Sequence, residues 1–250
     1  MKLRELFSLK YFGVLAAALL AIVAPAMAGP PLICHAVDIG TAQSLPWTSS
    51  GWNLSGQETY DVSHLVPDTL VLLAPSTPVL VRMETLRRAT LYAQKQTAVA
   101  QELLFRLEVR TRENPKDALA AFDFGYLVEC YRQASWLHQH TDWLKASGDA
   151  ASANLVMKMD GYDSVRKAIA LRGSDPQMEF AAALMTTEVE RSEHDRHLQN
   201  AIAGAKADAL LARNLASRFP KNAEEQLRSN FSGTWVAWIL PGTLRVRVAG

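Results

Sequence analysis

Between residues 79 and 219 the apolar residues recur every three or four positions, the spacing that lines one face of an α-helix. Val79, Met83, Leu86, Thr90 and Ala93 predict a helix over 79–94, started by Ser76 or Thr77 with Pro78. Arg82, Arg87, Arg88 and Lys95 fall on its outer side. Ala100, Leu103, Leu104 and Leu107 predict the next helix over 97–112. Residues 94–97 read either as a turn joining the two as a hairpin or as continuous helix.

The longest stripe comes next, over 113–134. Ala118, Ala121, Phe122, Gly125, Val128 and Glu129 share a face, and Leu127, Cys130 and Tyr131 widen it. Asn114 is a good N-cap, Pro115 suits the first helical position, and Asp117 can reach back to the cap. Gly125 inside a helix costs about 1 kcal/mol relative to Ala, which predicts a second helix passing close by. Further helices are expected over 135–146, over 161–172, from Asp175-Pro176 onward, over 193–206 behind a Ser192 cap, and over 207–219 up to Pro220. Residues 147–152 (SGDAAS) are a loop.

Both ends depart from this period. Residues 1–28 read as a signal peptide: Lys2, Arg4 and Lys10, an apolar stretch too short to span a bilayer, then Ala26-Met27-Ala28 as a cleavage site. Residues 29–78 have no period and many prolines, and predict an irregular arm or cap lying along the helices. Within them, 68–74 fits a short strand or a helical turn equally well. In the tail, 220–250, Leu244, Val246 and Val248 alternate with Arg245 and Arg247, which predicts a short β-hairpin. The organisation is therefore a signal peptide (1–28), an arm (29–78), a helical domain (79–219) and a tail (220–250).

Charge narrows the function. Removing 1–28 takes away three basic residues and Glu5, leaving 23 Lys and Arg against 24 Asp and Glu, a net charge of about −1. No sign dominates, which argues against a general nucleic-acid binder. No phosphate loop, dinucleotide fingerprint, nucleophile elbow or paired Cys motif is present. Cys34 and Cys130 are the only cysteines. An oxidising compartment favours a bridge between them, tying the arm to the central helix; two buried free thiols is the alternative. Glu190, His194 and His197 fall at i, i+4 and i+7, and His138 with Asp142 at i and i+4, spacings that could hold a metal. The run around His194 is so polar that a solvated face accounts for it better.

Asn114-Pro115, Ala118, Ala120 and Phe124-Gly125 resemble the opening of a tetratricopeptide repeat (TPR). Ala121 and Val128 stand where that family carries Trp and Tyr. A weaker copy starts at Asp175-Pro176, and the two prolines are 61 residues apart, where tandem repeats need about 34. The resemblance implies an all-α, TPR-like array of helical hairpins. It also implies that partners lie against Leu119, Phe122, Tyr126 and Glu129. Phe122, Tyr126 and Glu129 share a face and could hold an extended peptide; burial of both aromatics in the core is the competing reading. The segments Gly29-Pro-Pro-Leu-Ile-Cys34 and Ser44-Leu-Pro-Trp47 resemble the start of an uncharacterised family of secreted bacterial proteins.

The expectation is an exported helical scaffold, periplasmic or extracellular after cleavage near Ala28. It would bind another protein or peptide without catalysis, with no cofactor, no metal, no nucleic acid and no membrane span in the mature chain. A metal-dependent hydrolase of helical-bundle type and a purely structural envelope protein are the alternatives.

Overall fold

The structure is a computed structural model that describes residues 29–48, 54, 56–94, 96–140, 155–187 and 191–219. The predicted signal peptide and tail hairpin lie outside the described residues. Eight α-helices follow the arm: α1 (Leu65–Leu72), α2 (Val79–Ala93), α3 (Thr97–Glu113), α4 (Ala118–His140), α5 (Gly161–Arg172), α6 (Pro176–Met185), α7 (Arg191–Gly204) and α8 (Ala209–Arg218). Among the described residues there is no strand, so the fold is all-α. No helix of the described residues is long and apolar enough to cross a membrane.

Their local causes are legible. Asp160, Asp175 and Asp208 each cap the helix that follows, accepting from backbone N–H groups of its first turn. Pro176 fills the first position of α6. Gly173, at φ +74°, ends α5 in the left-handed conformation that glycine tolerates best. Helix α2 ends at Ala93 and α3 begins at Thr97, so the two are separate. Residues 65–72, expected within the irregular arm, are helical as α1.

Three sequence expectations are corrected. First, α4 starts at Ala118, not after Asn114. Asp117 Oδ1 accepts from the N–H groups of Leu119 and Ala120 at 2.9 and 3.1 Å, and Asn114 closes α3 instead. Second, α4 runs unbroken through Arg132-Gln133-Ala134 to His140, so no new helix begins at 135. Third, Arg82 and Arg87 do not face out; both are fully buried. Helix α2 touches α1, α3, α4 and α6 and lies under the arm, so almost no side of it meets water.

One continuous apolar core joins the arm to all eight helices. The pairing of α4 with α5 is the most extensive, and that of α6 with α7 comes next. The close approach predicted at Gly125 exists. A Cβ there would sit 2.5 Å from the Gly161 carbonyl oxygen and 2.8 Å from Ser164 Cβ. Gly161 meets the Gly125 carbonyl in the same way, so two glycines let α4 and α5 touch backbone to backbone.

Candidate functional site

The helix face expected to receive a partner is mostly interior. Phe122 and Tyr126 are fully buried, stacked on each other with ring centroids 5.6 Å apart. Glu129 is buried too. Its Oε1 accepts the Gly161 N–H at 3.0 Å and pairs with Arg132 at 3.3 Å. Burial raises the Glu129 carboxyl above its usual range, against the pull of Arg132 and that N–H. Leu119 is half-buried. These residues therefore do not form an open docking face: α4 is wrapped by α2, α3 and α5, and the stripe read as a binding surface is the core stripe.

A different arrangement stands in its place. The arm crosses the helices in an irregular path that turns at residues 30–34, where the Cys34 N–H donates to the Pro30 carbonyl at 3.0 Å, and side chains of α2, α4 and α8 hold its main chain. Gln133 Oε1 accepts the Leu32 N–H at 2.7 Å. Glu84 Oε2 accepts the Val37 N–H at 2.8 Å. Asn214 accepts the Asp38 N–H through Oδ1 and donates to the Asp38 carbonyl through Nδ2, both at 2.8 Å. Arg87 Nε donates to the Ile33 carbonyl at 3.0 Å, and Arg88 Nη1 to that of Leu45 at 2.7 Å. Arg218 Nη2 donates to the carbonyls of His35 and Ala36 at 2.6 and 2.9 Å. Meanwhile Leu32, Ile33, Val37 and Leu45 bury their side chains almost completely. Trp47 packs edge-on to Tyr92 at 5.6 Å, under the guanidinium groups of Arg87 and Arg88.

The electrostatics of this groove are uneven. Glu84 is fully buried and balances Arg87 at 3.3 Å and Arg88 at 2.7 Å. Arg218 is also buried, but it has no carboxylate partner among the described residues, and its Nη1 makes no hydrogen bond there. Burial lowers its guanidinium to about 10, with Cys34 pulling weakly the other way. The His35 Nε2 and Tyr126 hydroxyl are likewise buried without a partner among the described residues. Cys34 and Cys130 are both free thiols, so the expected bridge is not formed. Burial raises both above the usual thiol range; the Arg87 charge opposes it at both, and Arg218 also opposes it at Cys34.

The histidines go elsewhere. His197 is buried and both ring nitrogens are engaged: Nδ1 with Glu179 Oε2 at 2.5 Å, Nε2 with the Tyr162 hydroxyl at 2.7 Å. Glu179 also accepts from Asn200 at 3.0 Å, and Tyr162 meets Glu193 at 3.0 Å. This chain pins α5, α6 and α7 together. Burial and Glu193 push the Tyr162 phenol up to about 12, so it serves as a donor rather than a nucleophile near neutral pH. His194 Nδ1 meets the Ala183 carbonyl at 3.0 Å, and His140 Nδ1 meets that of Trp136 at 2.7 Å. Glu190 and Asp142 lie outside the described residues. Among the described residues, no three or more His, Cys, Asp or Glu gather to hold a metal ion.

A cleft of about 370 Å3 lies where α2, α6 and α8 begin. Gln177 closes it, accepting the Leu80 N–H at 3.0 Å and donating to Asp208 at 2.6 Å. Asp175 and Asp208 cap the other two helix starts, and Arg172 on the cleft wall pairs with Asp175 at 3.2 Å.

Sequence reasoning did not find Gln133, Glu84, Arg88, Asn214 and Arg218 as the groove residues. The one available signal was Glu84 and Arg88 at i and i+4 on a helix with no other acidic residue. Comparison with family models, curated proteins and solved structures finds no match to the chain.

Proposed function

We propose that the chain is an exported, non-enzymatic helical scaffold that binds another protein or peptide, its hairpins arranged in a TPR-like array. The observation that carries this reading is the grip of α2, α4 and α8 on an irregular segment by its main chain. Such contacts hold a peptide with little regard to sequence, while pockets for single apolar side chains add selectivity. Export rests on the pattern of residues 1–28. A metal-dependent hydrolase at His194 and His197 has less support, because both ring nitrogens of His197 already bond to protein groups.

The test is a cross-linked pull-down of the tagged chain from its native envelope fraction, identified by mass spectrometry. One partner recovered near stoichiometry is the expected result. Recovery of none, with the bait folded and present in excess, counts against the scaffold.

A further inference from the structure

We propose that the groove under the arm is the ligand site, with the arm as its resident occupant. The partner it fits is a peptide that takes the arm's turning path, with the arm's apolar spacing and an acidic side chain where the arm has Cys34. This deepens the scaffold reading and rests on it.

Two features of the arm point to replacement. Residues 30–47 of it form no helix or strand, so their leaving the groove breaks no secondary structure of their own. Its hold also depends on main-chain N–H and carbonyl groups, which any peptide that follows the same path offers equally. The apolar requirement is read from Leu32, Ile33 and Val37, each at most 4% exposed.

The acidic requirement comes from what the arm leaves unmet. Arg218 is a buried cation, 5% exposed, with Nη1 unpartnered and no carboxylate opposite it among the described residues. A buried charge left this way is costly, and a carboxylate that reached it would form a charge-assisted, potentially bidentate bond. Cys34 lies between Ile33, whose carbonyl accepts from Arg87 at 3.0 Å, and His35, whose carbonyl accepts from Arg218 at 2.6 Å. A carboxylate in its place would stand between the two residues held by these guanidinium groups, where the arm presents a thiol that burial keeps protonated. The arm is therefore a serviceable but incomplete ligand. It wins by being tethered, at an effective concentration on the order of millimolar, so a free competitor must bind better than the arm does.

The probe is a fluorescein-labelled peptide of residues 30–45 carrying Cys34→Asp, compared with one carrying Cys34→Ser, read by anisotropy. The protein is the full chain with Ile33→Ala and Val37→Ala, which loosens the arm without touching the groove's polar groups. The Asp peptide should bind this variant saturably, and at least about tenfold tighter than the Ser peptide, the scale of one charge-assisted bond. Adding Arg218→Met should erase that difference, and the wild-type chain should bind more weakly than the loosened one. No saturable binding to a loosened chain that still melts cooperatively overturns the proposal, as does equal binding of the two peptides.

Hydrogen exchange on the wild-type chain covers the case in which the loosened variant fails to fold. The Val37 and Asp38 amides should exchange through an opening that leaves α4 protected. If they exchange only when α4 does, the arm cannot leave and the proposal falls. A stoichiometric partner in the pull-down together with failure of both peptides would keep the scaffold reading and move its site elsewhere.

Discussion

At the scale of single residues, this fold is held by charges placed where charges are expensive. Arg82 is fully buried and donates to the carbonyls of Thr77 and Ala74 and to Asp123 Oδ2, at 2.6 Å for the last. Arg110 approaches the same oxygen at 3.5 Å. Burial still dominates and raises the Asp123 carboxyl to about 6, and its Oδ1 has no partner among the described residues. Because that value lies above the unfolded one of 3.8, the folded state holds the extra proton between about pH 4 and pH 6. The contribution of Asp123 to stability is therefore largest at low pH and falls as pH rises through 6. Arg82→Met removes the main counter-charge and should cost about 3–5 kcal/mol at pH 7.5, where Asp123 is ionised. At pH 5 the carboxyl can stay protonated, and the loss should be clearly smaller. Urea unfolding at the two pH values checks this. Equal losses would mean that the carbonyl contacts of Arg82, rather than its charge, carry the effect.

At the scale of elements, caps and close approaches decide where helices begin and how near they come. Asp117 caps α4, so Asp117→Ala should destabilise by about 1 kcal/mol while Asn114→Ala changes stability by much less. The reverse order in chemical denaturation would restore the start read from Asn114-Pro115. Gly125→Ala drives a methyl group against the Gly161 carbonyl and should cost about 1–3 kcal/mol, with Gly161→Ala behaving alike and the pair combining non-additively. An unchanged melting temperature for both would show that α4 and α5 can part freely. These elements also show what was readable in the chain. Asp175-Pro176 marks the start of its helix correctly, because cap chemistry is local. Asn114-Pro115 carries the same local signal, yet Asp117 three residues later offers a competing cap and wins. Periodicity placed Arg82 and Arg87 outside, since a polar residue off the apolar stripe normally faces water. That inference fails for a helix enclosed on every side, and enclosure is a tertiary fact. Phe122 and Tyr126 were legible as core or as binding surface, and only the packing of α2 and α5 decides for core. The groove was the least legible feature. Its donors and acceptors come from helices far apart in sequence, and what they bind is backbone, which leaves no side-chain pattern to find.

At the scale of the whole molecule, the arm ties the middle of the chain to its end. Asn214 bonds the Asp38 backbone across 176 residues, and Arg218 reaches Ala36 across 182. Gln133 on α4 holds the arm at Leu32, so one segment bridges the two halves of the helical array. A tie of this kind should make α8 unfold together with α4 rather than alone. Asn214→Ala removes both bonds to Asp38 and should cost about 1–3 kcal/mol. Val37→Ala, one residue away on the arm, should cost a similar amount by lost burial. If the arm acts as one unit, each change already loosens what the other would loosen. The double variant should then fall short of the sum by at least about 0.5 kcal/mol. Native-state hydrogen exchange would show the same event from the other side: in Asn214→Ala the amides of α8 should open at a lower free energy than those of α4, whereas in the wild-type chain the two should open together. Strict additivity, with α8 and α4 still opening as one, would show that the helices cohere through α6 and α7 without the arm.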